Sequence, residues 1–228
     1  MDEHARAAEH LRVIRSLMER VTVYRAISAP TALIGGVTAL VASVWMLRRA
    51  GVLGASERQG AFTTRDFIVP WVIALLITMS ANTYFVWREA QRDGRPFLSA
   101  GLRLALRSIF PSILVAAAIT FVGWRNPSDL EGPTILGLTW IGCYGLALLS
   151  TMTFAPSSLV VLGGSFVFTA IFWLLILSSP ALPLFEELRG YVGANFAMGL
   201  TFGLFHVIYA VCTWRPKRNA AAPPLVLE

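Results

Sequence analysis

Six separated runs of about twenty apolar residues confine this chain to one class of fold. They cover roughly 29–47, 67–87, 104–123, 134–153, 158–178 and 193–213. A helix of about 20 residues crosses the hydrocarbon core of a bilayer. Within that core each backbone N–H and C=O must be paired inside the protein, and a helix does this within one segment. The pattern therefore predicts an all-α fold, a polytopic transmembrane bundle of about six spans. Six spans and their connections use nearly all of the 228 residues, so a separate soluble catalytic domain has no room.

Composition agrees. Charged residues make up 14% of the chain, against about 25% in a soluble domain. The net charge of +6 would suggest nucleic acid in a soluble protein. Here the arginines sit at span ends and in connections, so the expected partner is a bilayer with anionic headgroups and not nucleic acid. Lys217 is the sole lysine beside many arginines, which reads as a GC-rich, bacterial coding sequence.

Three regions follow. Residues 1–28 form a cytoplasmic amphipathic segment, 29–213 the six-helix membrane domain, and 214–228 a polar, proline-bearing cytoplasmic tail. Within 5–27, Leu11, Ile14, Met18 and Val21 recur at helical spacing, with Arg6, Arg12, Glu19 and Arg20 around them. Such a helix lies in the membrane interface, docks a partner, or runs on into the first span. Ser28 and Pro30 mark the break. The polar start from Asp2 to Arg12 lacks the early apolar core of a cleavable signal peptide.

Orientation follows from the arginines. One side carries Arg6, Arg12, Arg15, Arg20, Arg25, then Arg88, Arg92, Arg95, Arg103 and Arg107, then Arg215, Lys217 and Arg218. The other carries about half as many: Arg48, Arg49, Arg58, Arg65, Arg125 and Arg189. The richer side is expected to face the cytoplasm, which gives a multi-pass inner-membrane protein with both ends inside. Trp45, Trp71, Trp87, Trp124 and Trp214 fall at span ends, where amphipathic rings settle.

Few residues could carry chemistry. No Asp or Glu falls within a span, which counts against a proton-coupled carrier or a buried acid/base enzyme. Cys143 and Cys212 lie inside spans without metal-ligand spacing and read as small apolar residues. No metal or cofactor is expected. On the last span Asn195, Gly199, Gly203, His206 and Ala210 recur at three- and four-residue steps, and Gly199 and Gly203 form a close-packing motif. Ala32, Gly36, Ala39 and Ser43 form a similar stripe on the first span, and Gly35 beside Gly36 is a further helix-packing candidate. By depth along their spans, Asn82, Ser112 and His206 lie at about 8–12 Å from one surface, counting 1.5 Å per residue. They could share a polar site with Arg107 above them. The plainer reading is helix packing, with each polar group satisfied separately.

Glu186-Glu187 and Phe202-Gly203-Leu204-Phe205-His206 resemble fragments of the CAAX-type intramembrane proteases. Arg189 stands two residues too close to the acidic pair for that pattern. Glu187 and His206 would lie nearly 30 Å apart along one helix, too far to share a metal or water. No later helix supplies the family's remaining His and Asn.

The chain as a whole resembles a group of small, uncharacterised bacterial polytopic membrane proteins. The likeness rests on an Arg-rich N-terminal helix with Met18-Glu19-Arg20, a first span with Pro30 and Gly35-Gly36, and a last span with Phe202-Gly203-Leu204-Phe205-His206-Val207-Ile208-Tyr209. It implies an architecture and no activity. The leading expectation is a non-enzymatic accessory, sensory or assembly subunit working through helix–helix contacts, with another membrane subunit or itself. The alternative is a channel or carrier for a small neutral or lipophilic solute, and an intramembrane enzyme ranks third.

The arginine count predicts topology. With Cys143 and Cys212 replaced by alanine, single cysteines at Ser128 and Ala181 should react with an impermeant thiol reagent applied outside the cell. Cysteines at Gly94 and Ala221 should not. Reversed labelling would invert the assignment.

Overall fold

The computed structural model describes residues 29–53, 62–92, 94, 97, 100–127, 131–178 and 190–214. Among them all regular structure is helical. The helices are α1 (Ala29–Arg49), α2 (Thr64–Arg92), α3 (Ala100–Arg125), α4 (Glu131–Leu149), α5 (Ser157–Ser178) and α6 (Gly190–Thr213). All six are long and apolar enough to cross a membrane. The amphipathic segment over 5–27 and the tail beyond Trp214 lie outside the described residues.

Local chemistry sets the helix ends. α1 stops at Gly51, whose φ of 83° favours glycine. There the Gly51 N–H donates to Arg48 O and the Val52 N–H to Leu47 O, the paired bonds that close a helix C-terminus. α2 begins with a side-chain cap: the Asp66 carboxylate accepts from the Thr63 N–H at 3.0 Å and from the Thr63 hydroxyl at 2.9 Å. The fourth span ends at Leu149, four residues short of the expected 153. The Ser150 and Thr151 hydroxyls donate to the carbonyls of Ala147 and Leu148, each at 2.7 Å, and the chain turns before Pro156.

Adjacent helices in the chain run antiparallel, so α1 begins and α6 finishes at the same end of the bundle. That is the terminal end, and the opposite one is the far end. α1 and α6 themselves cross antiparallel at very short range. A Cβ on Gly36 would stand 2.9 Å from Gly203 O and 3.0 Å from Val207 N. One on Gly203 would meet Leu40 Cδ2 at 2.7 Å, and one on Gly199 would strike Ser43. Gly35 faces the other neighbour, with Thr78 of α2 against it. A second such crossing joins α4 and α5, where a Cβ on Gly145 would lie 2.8 Å from Gly163 O. Small residues permit this approach, and close packing is what drives helix association in lipid.

Toward the far end the core is aromatic. Phe67 is fully buried and packs against Trp140 at 5.7 Å and Tyr191 at 6.4 Å between ring centroids. There Arg65 donates from Nε to Trp124 O at 3.0 Å and lies over the Trp124 ring, tying α2 to α3. The remainder of α2 and all of α3 behave differently. Buried residues on α2 end at Ala74, and the membrane window of α3 contains none.

Backbone contact at the α1–α6 crossing predicts a steep steric cost. Gly36→Leu should destabilise the protein in detergent by about 1–3 kcal/mol, as overpacking does elsewhere. Gly203→Leu should also destabilise, because its neighbour is a packed leucine. Leu204→Phe, at a position 42% exposed, should leave thermal unfolding unchanged. Equal stability for all three would remove the crossing.

Candidate functional site

Two buried polar centres lie on α6, separated by a π-helical stretch. The first is Asn195, which has no exposed surface. Its Oδ1 accepts from Trp71 Nε1 of α2 at 2.9 Å, and its Nδ2 donates to Tyr191 O at 2.8 Å. Its backbone carbonyl accepts from the Ser43 hydroxyl of α1, also at 2.9 Å. One residue thus joins three helices with its side-chain polar atoms paired, which is structural work.

The second centre is His206, 8% exposed. Its Nε2 lies 2.7 Å from the Tyr144 hydroxyl of α4. Either the phenol donates to the ring nitrogen or the ring N–H donates to the phenol, according to tautomer. Aromatic rings close around the pair. Phe166 of α5 meets the imidazole edge-on at 5.5 Å, and Phe202 stacks on it at 6.1 Å. His206 Nδ1 is buried, with no hydrogen-bond partner among the described residues.

The π-helical stretch, Gly199–Phe205, separates these centres. Such wide turns are rare and occur mostly as single insertions in α-helices, frequently at functional sites. Here it changes which neighbour each side chain meets. Regular helical steps place Gly203 and His206 on one face. In the structure Gly203 packs on Leu40 of α1, whereas His206 reaches Tyr144 of α4.

The four residues expected to share a polar site lie on α2, α3 and α6, and no hydrogen bond among the described residues joins any two of them. His206 bonds to Tyr144. Asn82 lies on α2 with its Oδ1 buried and unpartnered among the described residues. Ser112 is half-buried on α3, and Arg107 is exposed on the same helix. The burial pattern of α3 puts Ala105, Ile109, Ser112, Ala116 and Thr120 on its protein side, where Thr120 accepts from Trp140 Nε1 of α4 at 2.8 Å. Arg107 falls on the opposite side. Depth alone gave no direction around the helix axis, so it could not tell α4 from α2 or α3 as the neighbour of His206. Tyr144 stands five residues before the end of α4 at Leu149, but the expected end at 153 put it deeper than His206, and a tyrosine amid glycines and leucines did not stand out.

The chemistry open to this arrangement is narrow. The His206–Tyr144 pair can hold one proton between two atoms. Among the described residues no group of three His, Cys, Asp or Glu side chains is placed to hold a metal. Cys143 is half-buried beside Tyr144 in the chain, and Cys212 is exposed. No protein-family model, no curated protein and no solved structure matches the chain.

The pair can be weighed by a double-mutant cycle. His206→Ala and Tyr144→Phe should couple by about 0.6 kcal/mol, the average for interhelical hydrogen bonds in membranes. His206→Ala and Asn82→Ala should be additive in the same unfolding measurement. Coupling to Asn82 instead of Tyr144 would contradict the pairing.

Proposed function

We propose that this protein is a non-enzymatic subunit of a bacterial inner membrane, working through helix–helix contacts in an accessory, sensory or assembly role, with both ends in the cytoplasm. One observation carries the reading. A shallow groove runs down the outward face of α2, lined by Leu76, Met79, Ser80, Thr83, Tyr84 and Trp87. Ser80 and Thr83 are exposed on an otherwise apolar face. Hydroxyl side chains gain little from hydrocarbon and are enriched where transmembrane helices meet. The groove is open to the outside of the bundle, so it lends nothing to a transport path. The bacterial setting draws support from the arginine-rich composition and from the Phe202–Tyr209 segment shared with the small bacterial membrane proteins that the chain resembles.

Native mass spectrometry after gentle detergent extraction tests this. The expected species exceeds the 24.9 kDa of one chain by a second protein subunit, either another copy or a different protein. Ser80→Leu with Thr83→Leu should release that subunit while the fold persists. A chain that stays monomeric and carries small neutral solutes across a liposome membrane by itself would overturn the proposal.

A further inference from the structure

Arg107 stands where an unpaired guanidinium is costly. Trp124, at the far end of α3, is tied to Arg65 and marks one edge of the hydrocarbon. Arg107 precedes it by 17 residues, or about 25 Å along the helix, against a core about 30 Å thick. Its Cα is therefore inside the opposite edge by about one helical turn. Its side chain is exposed, on the side of α3 turned away from α4. Among the described residues no carboxylate pairs with it.

Arg103 lies one turn closer to the surface on the same face and is also exposed. Two like charges at this spacing repel each other. An anion held between them reverses the sign of that interaction. α3 begins at Ala100, so the positive end of its dipole lies beside Arg103 and favours the same anion. Below Arg107 the face becomes wholly apolar: Phe110, Leu114 and Phe121 follow at helical spacing, 61%, 56% and 63% exposed. The strip thus has a dicationic head at the membrane surface and a hydrocarbon track beneath it.

We propose that Arg103 and Arg107 clamp the phosphate of one anionic phospholipid, whose acyl chain lies along Phe110, Leu114 and Phe121. The planar guanidinium fork matches phosphate geometry and is weakly hydrated, which suits a site at the hydrocarbon edge. The long stem of Arg107 carries its charge up to the phosphate level. Arg103 reaches the same level from above. A free phosphate ion offers the same charge but nothing for the apolar track, so the site is assigned to lipid.

Native mass spectrometry of the full chain, with phosphatidylglycerol and phosphatidylcholine added in equal amounts, tests the site. One phosphatidylglycerol should be retained on the order of tenfold more often than phosphatidylcholine, given the usual worth of two arginines near an anionic surface. Arg103→Gln with Arg107→Gln should abolish the preference. Both side chains are exposed, so this variant should keep its unfolding temperature. Should it fail to fold, Arg107→Gln alone should still lose most of the preference. Arg88→Gln with Arg125→Gln removes the same charge elsewhere and should retain it. Three results would overturn the proposal: equal retention of the two lipids, equal loss in the control variant, or displacement of the lipid by excess inorganic phosphate.

Discussion

The rest of the bundle depends on how closely the backbones of α1 and α6 approach. Lipid tails are as apolar as leucine, so water does not drive one transmembrane helix onto another and packing must do so. At Gly36 and Gly203 two helices meet with no side chain between a Cα and a facing carbonyl. That proximity lets Ser43 reach the Asn195 carbonyl, an acceptor on the other helix. Asn195 then extends the contact to Trp71, so α2 joins the pair through one buried amide. Separating α1 from α6 would strand these polar groups away from water, where each unmet hydrogen bond is expensive.

The molecule divides into two units of three helices. α1, α2 and α6 form one, held by glycine contact and the Asn195 bonds. α3, α4 and α5 form the other, held by the Gly145–Gly163 crossing and the Trp140–Thr120 bond. Between the units stand the far-end aromatic core around Phe67 and the His206–Tyr144 pair with its rings. Thr134 adds a reciprocal contact, bonding both the N–H and the carbonyl of Gly190. The joint also includes a close approach of α4 to α6 at Gly137, where a Cβ would lie 3.6 Å from Ala194 Cβ and 3.8 Å from the Ala194 carbonyl oxygen. The His206–Tyr144 pair therefore belongs to the packed contact between α6 and α4.

Hydrophobicity and length made the architecture readable, because they report directly on the solvent around a helix. The six spans appear within a few residues of their expected limits, and Gly36, Gly199 and Gly203 stand at helix contacts as their spacing suggested. What the sequence could not carry was direction around each axis. Asn82, Ser112 and His206 have similar depths, yet His206 pairs with Tyr144 of α4, and no periodicity within one span names the helix opposite. The π-helical turns at Gly199–Phe205 made this worse by breaking the 3.6-residue step on which the stripe argument relied. Gly145 and Gly163 gave too little pattern to be paired, since glycines are common in membrane helices. The end of the fourth span was misjudged because Ser150 and Thr151 read as tolerable inside an apolar run, whereas their hydroxyls take the last carbonyls and stop it.

Pairing the first span with the last has a consequence for biosynthesis. Ser43 and Asn195 are 152 positions apart in the chain. At a synthesis rate of about 5–20 residues per second, α1 waits roughly 8–30 s before its partner leaves the ribosome. During that interval its small-residue face, with Ser43 among glycines and alanines, meets lipid, the insertion machinery or another protein. A nascent chain halted before α6 would leave that face unfilled, and membrane quality control could recognise it there.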